Sequence, residues 1–153
     1  MKEIYIEEEG YCGPAVLQHI LHLEDKFGSQ SELADRMATS NKEGTSHMGM
    51  LIGAVESGLR AFQTKGLHSL DLNDLSKTHH IIVNWMTGDN EKEDGHYSLY
   101  EKFEDGRVFL HDAVMSEEQF NKVWYDYDRG NRVDRWALLI KKGERTIYRN
   151  LQG

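Results

Sequence analysis

The sequence predicts an α+β fold, with N-terminal helices packed on a C-terminal antiparallel sheet. Two observations carry this prediction. Early in the chain, apolar residues recur at helical spacing, as in Val16, Leu17, Ile20, Leu21 and Leu23. From His80 onward they gather into short runs separated by turn residues such as Glu104-Asp105-Gly106. The expected result is one helical side and one sheet side. The 153 residues suit a single domain over 1–153 with a sizeable core. No internal repeat or interdomain linker interrupts them.

Taken in order, residues 3–6 alternate weakly and predict a short strand. A first helix is expected over about 13–26, ended by Gly28. Ser29 with Glu32 resembles a capping box and opens a second helix carrying Leu33, Ala34 and Met37. A polar loop covers 39–44. Thr45 or Ser46 caps a third helix over about 47–58, with Met48, Leu51, Ile52 and Val55 as its apolar stripe and Gly58 as its terminator. A short strand near 60–63 follows, then a helical turn capped by Asp71. Residues 80–85 read as a buried strand and 88–95 as a charged loop. Strands over about 96–103 and 107–112 flank the Asp105-Gly106 turn. Ser116, with Glu118 or Gln119, starts a helix through Trp124. The stretch 126–134 is polar, 136–140 is a core strand, and a final strand is expected over about 145–150.

Composition narrows the function classes. With 39% hydrophobic and 29% charged residues, the chain is an ordinary globular one. A formal net charge of -8 disfavours nucleic-acid binding through phosphates. Lys141, Lys142, Arg145 and Arg149 are interrupted by Glu144 and read as solvated hairpin charges. No apolar run reaches the length of a membrane span, and the N-terminus lacks a signal-peptide apolar region. One cysteine excludes an intrachain disulfide framework. A reducing, cytoplasmic setting is the simplest expectation.

That one cysteine, Cys12, sits in Gly10-Tyr11-Cys12-Gly13-Pro14-Ala15, where a turn runs into the first helix. A thiol at a helix start faces unpaired backbone N–H groups and the positive end of the helix dipole, which favour the thiolate. Cysteine–histidine catalysis needs a thiol, an imidazole that takes its proton, and a group that orients the imidazole. His96 follows Asp94-Gly95 at the mouth of a predicted strand. Asp112 ends the paired strand, where it could face the free edge of the His96 ring. The rival readings are a buried structural thiol, a packed strand histidine and a turn-capping aspartate. His111 is an alternative partner, although strand alternation sets it on the face opposite Asp112. His79 and His80 resemble a zinc pair only superficially, because adjacent strand residues point opposite ways and no second cysteine helps. Neither metal nor cofactor is expected. Trp124, Tyr125 and Tyr127 suit either a binding wall or core packing.

Together these residues resemble a known family. Tyr11-Cys12-Gly13-Pro14-Ala15-Val16-Leu17 is similar to the nucleophile motif of the bacteriocin-processing, double-glycine leader peptidases, within the papain-like cysteine peptidase superfamily. The similarity continues through Ile81-Ile82-Val83-Asn84-Trp85, Gly95-His96-Tyr97-Ser98-Leu99 and His111-Asp112, and on into Met115–Phe120 and Val123–Asp126. The resemblance implies a papain-like fold, with Cys12 as nucleophile, His96 as general base and Asp112 as orienting residue. It also implies a peptide or protein substrate, in the manner of a stand-alone branch without the export transporter. The sequence departs from the family upstream of the cysteine. Where the family has an oxyanion-hole glutamine, this chain has Ile6 flanked by Glu7, Glu8 and Glu9, and an ionised glutamate is a poor oxyanion stabiliser. The expected function is therefore a cysteine hydrolase for a peptide or amide bond. Its alternatives are a non-catalytic peptide-binding module on the same scaffold and an acyltransferase or transglutaminase-like enzyme.

Overall fold

A computed structural model describes residues 3–87, 95–144, 146 and 147. Three helices come first: α1 (Cys12–Leu23), α2 (Gln30–Arg36) and α3 (His47–Glu56). Next come β1 (Ala61–Thr64), α4 (Ser69–Leu75), β2 (His79–Met86) and β3 (Gly95–Glu104). The chain continues through β4 (Arg107–Leu110), β5 (Ala113–Ser116), α5 (Glu117–Val123), β6 (Tyr125–Asp128), β7 (Asn131–Asp134) and β8 (Ala137–Lys141). Six strands form one antiparallel sheet in the order β1-β8-β2-β3-β4-β5, and β6 with β7 forms a separate two-stranded ribbon.

Period-two alternation splits the apolar strand residues between two cores. Ile82, Leu99, Leu138 and Ile140 join Val16, Leu17, Ile20, Leu21 and Met50 beneath α1–α3. Ile81, Val83, Ala137 and Leu139 join Leu72, Phe120 and Trp124 beneath α4 and α5. The far face of the sheet is thus covered as well. This explains why β2 and β8 are continuous apolar runs, as strands buried on both faces are. Each fully buried leucine or isoleucine contributes about 1.5–3 kcal/mol.

Several element ends differ from the sequence expectation. Residues 3–6 form no strand; the side chain of Gln30 holds this segment, donating to Tyr5 O and accepting from Glu7 N. Helix α1 ends before Gly28, because Asp25 takes a left-handed φ of 58° while Lys26 N and Asp25 N return to Leu21 O and His22 O. Ser29 and Ser46 cap α2 and α3 as expected. In α4 the cap is His68, whose Nδ1 accepts from Leu70 N, and Asp71 answers from the third position by accepting from His68 N. The expected stripe of α3 is mostly turned outward: Met48, Ile52 and Val55 are exposed, and Met50, Gly53 and Ala54 face the core. Gly53 makes this possible, since a Cβ there would collide with Met37. Close approach of the backbone outweighed the larger apolar side chains.

The stretch expected as merely polar, 126–134, is the β6–β7 hairpin, turning at Arg129 and Gly130 with positive φ. Residues 113–116 are a strand rather than a turn. The described part of the expected last strand is helical, with Ile147 N donating to Gly143 O. Its other residues lie outside the described set, as does the charged loop over 88–94.

Candidate active site

Tyr11 caps α1, so Cys12 is its first helical residue. The chain reaches this position through Gly10 at φ 82°, where a Cβ would sit 2.6 Å from Ser40 O. Only glycine meets both demands. Asn41 Nδ2 donates to Glu9 O and pins the same approach. Helix α1 packs against β3 through the core that includes Tyr97 and Leu99. The start of α1 is thereby set beside the mouth of β3, where His96 stands.

His96 Nε2 and Asp112 Oδ2 lie 2.6 Å apart. Asp112 does not end β4; it sits in the tight turn between β4 and β5. Its other oxygen, Oδ1, accepts from Ser98 Oγ at 2.7 Å, and Ser98 Oγ accepts from Trp85 Nε1 at 2.9 Å. Trp85 is the register partner of His96 across β2 and β3, with its ring edge-on to the imidazole at 6.0 Å. Three residues on two adjacent strands and one turn, Trp85, Ser98 and Asp112, therefore fix the plane of the His96 ring. Ser98 was not among the sequence candidates. The signal was there, because His96 and Ser98 are two apart on one strand and share a face.

Electrostatics follow from these contacts. Burial opposes ionisation of the Cys12 thiol, but a hydrogen bond and charge from His96, with backbone donors at Tyr97 and Gly13, hold its pKa below the usual thiol value. Burial likewise opposes charging of His96, but Asp112 and Cys12 raise its pKa to about 10. Asp112 is kept below the ordinary carboxylate range, because the hydrogen bonds of His96 and Ser98 outweigh burial. With Asp112 on Nε2, Nδ1 is the ring nitrogen left for the thiol. This arrangement favours a thiolate beside an imidazolium.

The remaining candidates have other surroundings. His111 is not on the far side from Asp112, since the chain turns there and strand alternation lapses. Its Nδ1 accepts from Leu99 N at 2.9 Å, which puts the ring proton on Nε2, 3.6 Å from Asp112 Oδ2. Burial holds this ring's pKa below the usual value, so it stays neutral. His79 meets Thr78, and His80 meets Glu24 Oε2 at 2.8 Å, so the two diverge as strand neighbours must. Trp124 belongs to the core, stacked on Phe120 and donating to Trp136 O, whereas the half-exposed Tyr127 lines the cleft beside Cys12. Gln18 is no substitute for an upstream amide donor: its Nε2 donates to Gly28 O, and its Oε1 accepts from Gln30. Among the described residues, no helix is long and apolar enough to cross a membrane.

No protein-family model matches the sequence. An uncharacterized protein of Methanothermobacter thermautotrophicus is 31% identical over 113 residues, which are 73% of this chain and 72% of that protein. Among solved structures, the peptidase domain of Streptococcus ComA, a bifunctional ABC transporter of a quorum-sensing pathway, superposes with a TM-score of 0.67 at 21% identity. That match covers 86% of this chain and 91% of the domain. A double-glycine-motif protease from an AMS/PCAT transporter, solved with its leader peptide, gives 0.70 at 17% identity over 92% of this chain and 91% of its own. The Streptococcus mutans ComA peptidase domain gives 0.59 at 24% identity, covering 89% and 94%. Helices packed on an antiparallel sheet are the architecture that this chain shares with these peptidase domains. This chain belongs to one family with the Methanothermobacter protein, and its fold is the papain-like fold of the double-glycine peptidase domains.

Proposed function

We propose that this protein is a cysteine hydrolase that cleaves a peptide or amide bond, with Cys12 as nucleophile, His96 as general acid and base, and Asp112 as the residue that orients His96. The observation that carries this reading is His96 itself, bonded through Nε2 to Asp112 at 2.6 Å while its charge lowers the pKa of Cys12. The thiolate attacks the carbonyl carbon, and the carbonyl electrons move onto oxygen. When the tetrahedral intermediate collapses, the C–N bond breaks and the imidazolium gives its proton to the departing amine. The neutral imidazole then takes a proton from water, whose oxygen attacks the thioester. Release of the acid returns thiolate and imidazolium. The backbone N–H of Cys12, at the free start of α1, is suited to receive the developing oxyanion. The similar solved peptidase domains come from transporters; here we propose only that this domain cleaves a peptide or amide bond.

Cys12→Ala is the test. Turnover of a peptide or amide substrate is expected to vanish while the thermal unfolding transition is retained, and an unchanged rate would sink the proposal. A second reading has one observation in its favour. No side chain of the described upstream segment 3–9 offers an amide donor, and Gln18 is occupied elsewhere. A non-catalytic peptide-binding module on this scaffold would bind peptide with an ordinary, unreactive thiol.

A further inference from the structure

The cleft beside Cys12, about 910 Å³, has an acidic wall. Among the described residues, Glu9, Glu43, Asp126 and Asp128 line it, against one basic residue, Lys42. Acidic residues alone would be an ordinary solvated rim. Two buried atoms set this wall apart. Asn84 is 4% exposed and Asp126 is 3% exposed, yet among the described residues none donates a hydrogen bond to Asn84 Oδ1 or Asp126 Oδ1. A buried acceptor without a donor costs about 1–3 kcal/mol, and native proteins keep few of them.

The surroundings fix the direction of both oxygens. Asp126 Oδ2 is held by His47 Nε2 at 2.6 Å, which turns Oδ1 away from that ring. Tyr97 donates its hydroxyl proton to Thr45 O at 2.7 Å, and the Asn84 side chain lies beside the same hydroxyl. Asn84 Oδ1 is buried against Gly95. Gly95 lets β3 pack directly against both residues: a Cβ there would collide with Asn84 Oδ1 and lie 2.9 Å from Asp126 Cβ. A carboxylate and a neutral acceptor, neither given a donor by the described residues, thus flank Gly95 in the wall of the cleft that Cys12 also lines.

We propose that this wall holds a cationic N–H donor of the substrate, an ammonium or a guanidinium, beside the bond that Cys12 attacks. The place of this group in a reaction rests on the hydrolase reading above; the binding itself does not. An N–H cation supplies donors to both oxygens and the charge that Asp126 and Asp128 call for. A neutral donor supplies only the first, and an anion neither. The cation has two sources in a peptide, a free α-amine or a lysine or arginine side chain.

Calorimetric titration of the Cys12→Ser protein, which cannot turn over, tests the site directly. The probes are n-butylammonium, agmatine and neutral n-butanol. Saturable binding of the two cations is expected, with n-butanol at least tenfold weaker. Asp126→Asn and Asn84→Ala, each checked for an intact unfolding transition, are expected to weaken cation binding at least tenfold. Titration with glycyl-glycinamide and with acetyl-lysine amide then assigns the source, since the tighter ligand carries the favoured cation. Equal binding of n-butanol, unchanged affinity in both variants, or no saturable cation binding would overturn the proposal. Each of these leaves the hydrolase reading to the reactivity of Cys12. Conversely, an inert thiol beside intact cation binding would remove the hydrolase and keep the site.

Discussion

Among the described residues, two histidine–aspartate pairs have the same length. His96 meets Asp112 at 2.6 Å, and His47 meets Asp126 at 2.6 Å. The surroundings of the second ring nitrogen separate them. His47 Nδ1 faces another carboxylate, Asp128 Oδ2, at 3.8 Å, and the ring lies stacked on Trp136 with centroids 4.1 Å apart. Its side chain is 5% exposed, against 24% for His96. In the His47 pair both nitrogens are tied to carboxylates, which suits it to holding α3 against the β6–β7 hairpin. The His96 pair has one nitrogen tied and one turned to a thiol, which suits proton transfer. A histidine–aspartate contact is therefore no evidence of chemistry until the other side of the ring is examined.

This comparison can be broken at either pair. Asp112→Asn strikes the first. It keeps the shape but removes the charge that holds His96 protonated, and kcat/KM is expected to fall by about 10²–10⁴-fold. Steady-state kinetics on any accepted amide substrate would show it, together with little change in the unfolding midpoint. His47→Ala strikes the second. It leaves Asp126 Oδ2 buried without its donor, at a cost of about 3 kcal/mol. Urea unfolding would measure that loss, and the alkylation rate of Cys12 is expected to stay near that of the wild type. Exchanged outcomes, with activity lost at His47 and stability lost at Asp112, would reverse the assignment of the two pairs. Ser98→Ala is the smaller perturbation. It leaves Asp112 Oδ1 and Trp85 Nε1 without their shared partner while sparing the His96 contact. A fall of about tenfold in kcat/KM is expected, since such supporting hydrogen bonds are worth about 1–3 kcal/mol.

Much of this was legible in the sequence, for reasons that can be named. The helical spacing from Val16 to Leu21 and the continuous apolar run of β2 gave the two layers, and the Asp105-Gly106 turn gave the central hairpin. Cys12 and His96 were visible as candidates because each falls at the start of an element, and Asp112 because it follows closely on the strand paired with that of His96. What stayed hidden depends on non-local packing. The outward face of α3 could not be read, because Met48, Ile52 and Val55 look more buriable than Gly53 until Met37 is found against it. The β6–β7 hairpin was masked by its charges, although Tyr125 and Tyr127 alternate with Asp126 and Asp128 as a strand requires. The Trp85–Ser98–Asp112 chain depends on cross-strand register, which no local pattern encodes. The orphaned oxygens of Asn84 and Asp126 depend on partners distant in sequence, His47 and Tyr97.

The central claim is that His96, oriented by Asp112, keeps Cys12 as a thiolate. The most direct measurement is the pH dependence of Cys12 alkylation by iodoacetamide, in the wild type and in His96→Ala. The pKa of Cys12 is lowered and that of His96 is raised to about 10. Reactivity should therefore set in as pH rises through a thiol pKa below the ordinary value of about 8.5, while His96 still carries its proton. In His96→Ala the onset should move up toward that ordinary value. A wild-type onset at the ordinary thiol pKa, indifferent to loss of His96, would contradict the claim and leave a peptide-binding module in its place.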